Sequence, residues 1–209
     1  MTFPFNFFLA AFAGAFLTTL LALPLWRKWC LRTNLVDDPG ERKIHDQPIP
    51  LAGGFAVLTG ILLPLIVGAI FIQSGIVKIS FSSLIAHGLE RRGLELGAIA
   101  IGAIAITILG WFDDKHELKP LPKLIGQFLI AVLVAIACKR ITLFVHSEIF
   151  SYAITILWIL TVVNAFNFMD NMNGLCAGLG AIGAFIFALI AAANGEYLVA
   201  TISFLMCGA

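Results

Sequence analysis

The chain has 209 residues, of which 60% are hydrophobic and 12% are charged. Soluble domains are usually about 45–50% apolar and about 25% charged, so the composition predicts a protein whose main solvent is a membrane and not water. The formal net charge of +1 gives neither the basic field that attracts nucleic acid nor an acidic tail for a basic partner, so no nucleic-acid partner is predicted.

Apolar runs of about 20 residues, the length that crosses about 30 Å of hydrocarbon, mark the predicted transmembrane helices. They cover Phe5 to Leu25, Leu51 to Ile72, Leu96 to Phe112, Leu124 to Cys138, Phe150 to Met169 and Cys176 to Ala193. A seventh run, from Tyr197 to Ala209, is too short to span and looks cut off inside a helix. The predicted fold class is therefore all-α, a polytopic transmembrane bundle of about six complete spans plus a truncated seventh.

The basic residues around the first helix predict the orientation of the chain. No Lys or Arg precedes this helix, whereas Arg27, Lys28 and Arg32 follow it closely. The positive-inside rule then places its C-terminal end in the cytoplasm and the N-terminus outside. Every second loop is cytoplasmic on this topology, and the stretch from Gln73 to Glu95 is predicted to be a partly amphipathic external loop.

The same parity of crossing places three polar loops on one face. These are Trp26 to Pro50, Asp113 to Lys123, and the turn from Asp170 to Gly174. Of the chain's 12 acidic residues, the loops contain Asp37, Asp38, Glu41, Asp46, Asp113, Asp114, Glu117 and Asp170. Because acidic residues contribute little to membrane topology, their concentration on one face predicts chemistry there.

The second loop opens with two adjacent carboxylates, Asp113 and Asp114, where an apolar helix leaves the hydrocarbon. Adjacent ionised carboxylates repel each other, and a divalent cation or a nearby lysine is the usual remedy. Lys115, Lys119 and Lys123 are close in sequence and could also bind anionic phosphates. The alternative is an ordinary interfacial Asp–Asp cap with snorkelling lysines.

The third polar segment ends an otherwise apolar helix with Asn164, Asn167 and Asp170, which step by three and so share one helix face. Polar side chains at membrane depth must face protein, water or ligand. Their oxygen atoms are suitable ligands for Mg²⁺ and can also accept hydrogen bonds from a nucleoside. The alternative is a hydrogen-bonding seam between helices, which asparagine can supply.

The first loop combines Asp37, Asp38 and the basic pair Arg42–Lys43 with several prolines and glycines. Prolines and glycines predict an extended, sharply turned path that lets a ligand or another backbone come close. Arg42 and Lys43 could bind phosphate. The alternative is that they serve only as a positively charged anchor on the cytoplasmic side.

Three motifs carry a resemblance to a known family. They read D-D-P-G-E-R-K-I-H followed by P-I-P-L-A-G-G, G-W-F-D-D-K-H-E-L-K-P-L-P-K-L-I-G-Q, and N-A-F-N-F-M-D-N-M-N-G-L. In this order, with apolar segments between them, they resemble the polyprenyl-phosphate N-acetylhexosamine-1-phosphate transferase superfamily, the glycosyltransferase group 4 enzymes. The match covers essentially the whole chain, and the pattern is most similar to undecaprenyl-phosphate GlcNAc-1-phosphate transferases.

The resemblance implies an enzyme of cell-envelope glycan synthesis. The phosphate of a polyprenyl phosphate lipid would attack the β-phosphorus of a UDP-sugar and release UMP, with Mg²⁺, or alternatively Mn²⁺, as cofactor. Whether the route is direct or passes through a covalent phosphoryl-aspartate is left open. The implied location is the bacterial cytoplasmic (inner) membrane, multi-pass, with the active site facing the cytoplasm; a homodimer is left open. Residues 1–209 would be a single membrane domain, the N-terminal part of a larger transferase, and inactive alone because later family motifs lie beyond Ala209.

The resemblance also implies roles for individual residues. Asp113 and Asp114 fall on the catalytic pair of the family. The implied metal ligands are Asn167, Asp170, Asp113 and Asp114. The implied substrate contacts are Arg42, Lys43, Lys123, Asn164, Asp170 and Asn173. Where many bacterial members read D-G-x-D-G, this chain has Asn171 and Asn173 in place of a glycine and an aspartate, and Asn173 could accept a hydrogen bond but could not act as a base.

Two other classes of protein compete with this interpretation. A membrane transporter also contains intramembrane polar residues, but it places them near mid-membrane along a solute path. Here the carboxylates cluster at helix ends. An inactive, truncated remnant of the transferase is the second alternative.

Overall fold

The computed structural model describes residues 5–37, 47–74, 82–138, 140–170 and 174–209. These residues form seven helices and one small sheet. The helices are α1 (Phe5–Arg32), α2 (Gly53–Gln73), α3 (Ser82–His116), α4 (Pro120–Ala137), α5 (Glu148–Met169), α6 (Leu175–Ala193) and α7 (Tyr197–Gly208). The strands β1 (Val36–Asp37) and β2 (Ile49–Pro50) pair antiparallel.

Six of these helices, α1 to α6, are long and apolar enough to cross a membrane, and α7 is a shorter apolar helix. The prediction of an all-α polytopic bundle with about six spans and a short seventh is therefore confirmed. The small sheet joins the two edges of the first polar loop, with Val36 opposite Pro50.

The predicted helix ends are wrong where the chain becomes polar. The first helix continues past Leu25 to Arg32. α3 begins at Ser82, so the predicted external loop is helical from there onward, with a kink at Arg92 (φ −117°, ψ 16°). At its other end α3 includes Asp113 and Asp114, which therefore lie on a helix and not in a loop. Helical hydrogen bonds are local, so a helix can continue beyond the apolar stretch that hydropathy detects.

The chain divides into two compact units, one formed by Met1–Leu89 with Gly180–Ala209 and the other by Glu90–Leu179. In the first unit, α1 packs against α2 and α7. The indole Nε1 of Trp26 donates a hydrogen bond to Thr59 Oγ1 at 3.0 Å, and the ring of Phe8 stacks on Phe204 with centroids 5.0 Å apart. Around that pair, Ala188, Ala191, Ala192 and Ala200 complete a small buried core.

In the second unit, α4 packs against both α3 and α5. A Cβ added at Gly102 of α3 would lie 2.8 Å from Val134 Cγ2, and one added at Gly126 of α4 would lie 2.9 Å from Leu109 Cδ2. From the first contact to the second, the residue number rises along α3, from 102 to 109, and falls along α4, from 134 to 126. The two helices are therefore antiparallel. Small residues at such positions let membrane helices approach closely.

We predict that Gly102→Ala destabilises the protein by about 1–3 kcal/mol, because the new methyl group would push against the branched side chain of Val134. Gly97→Ala on the same helix is the matched control, since a Cβ there meets nothing within 4 Å. The control should be neutral or stabilising by about 0.5–1 kcal/mol. Thermal unfolding in a mild detergent measures both, and equal effects would contradict the close approach of α3 and α4.

Candidate functional site

The candidate site lies at the end of the second unit where α3 ends, α4 begins and α5 ends. Asp113 is on the last turn of α3 and Lys123 is on the first turn of α4. Lys123 Nζ lies 2.7 Å from Asp113 Oδ2, and the two side chains are only 24% and 20% exposed. Of the two partners predicted for the carboxylates, a cation or a lysine, the structure supplies a lysine for Asp113. A charge-assisted contact of this length is among the stronger polar interactions in proteins.

A connector of three residues, Glu117 to Lys119, holds this ion pair together. Glu117 has a left-handed backbone (φ 46°), and its N–H donates to the Asp113 carbonyl at 2.8 Å, which is a known way to end a helix. Pro120 then begins α4, where its missing N–H has no helical partner to lose. The sequence thus stops one helix and starts the next within a single tight turn.

A second polar contact joins α4 to α5. The side-chain amide of Asn164 donates to Gln127 Oε1 at 2.8 Å and to the Leu160 carbonyl of its own helix at 2.9 Å. Gln127 is buried, with 4% of its surface exposed. The amide nitrogen of Asn164 therefore donates to two protein acceptors. The group of this side chain that could bind a ligand is its carbonyl oxygen, which can accept a hydrogen bond. Asn164 thus forms the hydrogen-bonding seam between helices that the sequence analysis gave as the alternative to ligand binding.

This hydrogen bond also fixes the levels of the neighbouring polar residues. At the other end of the pair, Ile141 N donates to Thr155 Oγ1 at 2.9 Å, so α4 and α5 are antiparallel. Lys123 lies four residues before Gln127, and Asn167 lies three residues after Asn164. At 1.5 Å per residue, they are about 6 Å and about 4.5 Å from the hydrogen bond, in the same direction. Lys123 and Asn167 therefore lie at similar depth, with Asp170 closer to the helix end.

Some of the remaining predicted site residues lie in the part of the chain that the structure describes, and others lie outside it. Asp114, Asn167 and Asp170 are described and exposed. The predicted substrate contacts Arg42, Lys43 and Asn173 lie outside the described residues, as does Asn171. The structure therefore brings Asp113, Lys123, Asn167 and Asp170 to one end of the second unit.

Within the described part of the chain, no three His, Cys, Asp or Glu side chains are grouped as a metal-ligand set. The predicted ligands Asp113, Asp114, Asn167 and Asp170 nevertheless offer carboxylate and amide oxygens, which are the donors that Mg²⁺ prefers. Lys123 already neutralises one of them, Asp113. The chemistry of the donor set therefore fits Mg²⁺.

Gln127 is the site residue that sequence reasoning missed. It belongs to the second motif, but it lies inside an apolar helix and was assigned no role. Its position was a signal in the sequence that it has a structural role, because a lone amide in an apolar run must find a partner. Gln127 also lies one turn from Lys123 on the same face of α4. Its partner, 37 residues away, could not be identified from spacing.

The family model for Glycosyl transferase family 4 matches residues 96–209. The chain belongs to this family. The match begins within α3 and includes every described residue of the candidate site.

Curated relatives match over most of the chain. It is 28% identical over 201 residues to the probable undecaprenyl-phosphate N-acetylglucosaminyl 1-phosphate transferase of Bacillus subtilis (strain 168), covering 92% of this chain and 51% of the relative. It is 26% identical over 210 residues to the undecaprenyl-phosphate alpha-N-acetylglucosaminyl 1-phosphate transferase of Salmonella typhimurium, covering 96% and 52%. With the decaprenyl-phosphate N-acetylglucosaminephosphotransferase of Mycobacterium tuberculosis the identity is 29% over 186 residues, covering 84% and 43%.

This member of the family spans about half the length of the curated relatives that it matches. No solved structure matches it significantly.

The hydrogen bond between α4 and α5 can be tested with a double-mutant cycle. We predict that Gln127→Leu and Asn164→Leu each destabilise the protein, because the first leaves one N–H of Asn164 without its acceptor and the second leaves Gln127 Oε1 without this donor at membrane depth. The coupling energy from the double variant should be about 0.6–1.7 kcal/mol, from the average to the maximum that such cycles give for hydrogen bonds between membrane helices. Thr161→Val on α5 is the control, since Thr161 bonds only the Leu157 carbonyl of its own helix among the contacts described. Strictly additive unfolding energies would contradict the seam.

Proposed function

We propose that this chain is part of a membrane transferase that moves N-acetylhexosamine-1-phosphate from a UDP-sugar to polyprenyl phosphate and releases UMP. The observation that carries the proposal is the Asp113–Lys123 pair together with the polar end of α5, in a family whose curated relatives are named polyprenyl-phosphate GlcNAc-1-phosphate transferases. Cell-envelope glycan synthesis is the proposed context.

The location of the polar residues suits such a reaction. A polyprenyl phosphate keeps its tail in hydrocarbon and its phosphate at the membrane surface, whereas a nucleotide sugar approaches from water. The two meet only where spanning helices end, which is where Asp113, Lys123 and Asp170 lie. A transporter needs its polar groups along a path near mid-membrane, so the helix-end position favours the transferase.

The reaction asks little covalent chemistry of the protein. An oxygen of the lipid phosphate forms a bond to the β-phosphorus of the UDP-sugar, and the bond from that phosphorus to the bridging oxygen breaks. UMP leaves with the electron pair, and the sugar remains on its phosphate. Positioning and charge neutralisation therefore dominate catalysis of phosphoryl transfer.

The residues of the site divide these tasks. Asp114, exposed beside the ion pair, would position the lipid phosphate or accept its proton. Lys123, held by Asp113, would offer positive charge to the phosphates of the donor. Asp113, Asp114, Asn167 and Asp170 would hold Mg²⁺, or alternatively Mn²⁺, which when bound neutralises the diphosphate. Arg42, Lys43, Asn164 and Asn173 remain proposed substrate contacts.

The proposed setting is the bacterial cytoplasmic membrane, with this site on the cytoplasmic face and the N-terminus outside. The basic residues Arg27, Lys28 and Arg32 in the last turns of α1 support that orientation through the positive-inside rule.

We predict that Asp113→Asn and Asp114→Asn in the longer protein that contains this chain each lower sugar transfer by about 10²–10⁴-fold, as expected when a group that moves or orients a proton is lost. Radiolabelled sugar transfer to polyprenyl phosphate, measured with a panel of UDP-sugars and Mg²⁺, tests this. Glu148→Gln makes the same carboxylate-to-amide change at the opposite end of α5 and should leave transfer unchanged. Wild-type turnover in both aspartate variants would overturn the proposed function.

A charge exchange separates the structural role of the ion pair from its chemical role. Asp113→Lys combined with Lys123→Asp restores an attraction between α3 and α4, so the double variant should regain most of the thermal stability that either single change removes. Its transfer activity should stay as low as that of Asp113→Asn, because the carboxylate now stands on the wrong helix. Recovery of activity along with stability would show that the pair only holds the helices together.

A further inference from the structure

The segment between α4 and α5 ends in a tight turn with unusual residues at its tip. The N–H of Val145 donates to the Thr142 carbonyl at 2.9 Å, which closes a four-residue turn. Its two central residues, Leu143 and Phe144, have positive φ angles of 42° and 63°. We call these two residues the apolar tip.

The geometry of this turn disfavours the residues that occupy it. Two successive positive φ angles are typical of turns whose central positions hold Asn and Gly, whereas bulky side chains rarely adopt that backbone. Phe144 is nevertheless 99% exposed and Leu143 is 53% exposed. If water surrounded this turn, a polar residue and a glycine would satisfy both the backbone and the solvent better.

The helix lengths place the apolar tip at the edge of the membrane. α4 has 18 residues, which is about 27 Å at 1.5 Å per residue and close to the thickness of the hydrocarbon core. The chain enters the next span at Glu148, only four residues after Phe144. At about 3.5 Å per extended residue the tip cannot be more than about 14 Å from that helix, so it lies near the membrane surface.

The flanks of the turn have the composition of a membrane interface. The guanidinium of Arg140 lies 4.1 Å from the ring centroid of Tyr152 on the first turns of α5. Arginine and tyrosine near the ends of spans are typical of the boundary, because each combines an apolar body with a polar end. Exposed Ile149 follows directly after Glu148, so a charged and a large apolar side chain are neighbours at the start of α5.

We propose that the apolar tip inserts into the lipid bilayer and anchors the α4–α5 connection at the membrane face opposite the candidate site. The partner is the bilayer itself, in the layer of headgroups and first methylene groups. Lipid around Leu143 and Phe144 accounts for large apolar side chains at positions where the backbone favours Asn and Gly. The inference is independent of the proposed transferase activity.

The test compares two engineered thiols on this loop in phospholipid nanodiscs, where both faces of the membrane are accessible. Phe144→Cys and the exposed neighbour His146→Cys are each made in a Cys138→Ala background, whose own reactivity gives the blank. A charged, membrane-impermeant maleimide should modify the thiol at position 144 at least about tenfold more slowly than that at 146, since charged groups avoid hydrocarbon. The difference should vanish in sodium dodecyl sulfate.

A second measurement identifies what covers the tip. A pyrene maleimide attached at position 144 should be quenched when the nanodisc contains brominated phospholipid, and the same label at 146 should be quenched less. Equal rates with the charged reagent would place the tip in water and overturn the proposal. Slow modification at 144 without quenching would show that protein covers the tip, whether a partner or a second copy, and would equally overturn it.

Discussion

The hydrogen bond between Asn164 and Gln127 sets the register on which the candidate site depends. In hydrocarbon an unpaired amide is costly because no water can replace the lost partner. Sliding α5 by one turn along α4 would separate the two amides and also move Asn167 and Asp170 away from the level of Lys123. One contact in the apolar part of the unit thus controls the alignment of side chains nearer its polar end.

α4 is the element that connects the other two helices of the site. Its first turn binds Asp113 of α3 through Lys123, and its next turn binds Asn164 of α5 through Gln127. Gly126, between these two residues, gives Leu109 the space to pack against the helix. A helix that is apolar over most of its length therefore uses two polar side chains, one turn apart, to hold both neighbours in place.

The sequence predicted the membrane spans well because hydropathy reports directly on the segments that lie in hydrocarbon. It failed at Ser82 and at Asp113, because the helices continue into the polar boundary, where hydropathy no longer distinguishes helix from loop. The motifs identified Asp113, Asp114 and Asp170 as one group, and the antiparallel packing brings Asp113 and Asp170 to one end of a unit. The partner of Gln127 was not predictable, since it depends on how α4 packs against α5. The left-handed backbone at Leu143 and Phe144 was not predictable either, because bulky residues rarely adopt that turn geometry.

The short connector from Glu117 to Lys119 limits how far apart the end of α3 and the start of α4 can move. Three residues and an ion pair join α3 to α4 at this end, so these two helix ends cannot separate without breaking the contact between Asp113 and Lys123. Because only three residues join the two helix ends, a change that removes the Asp113–Lys123 contact would still leave these ends tethered within a short distance of each other.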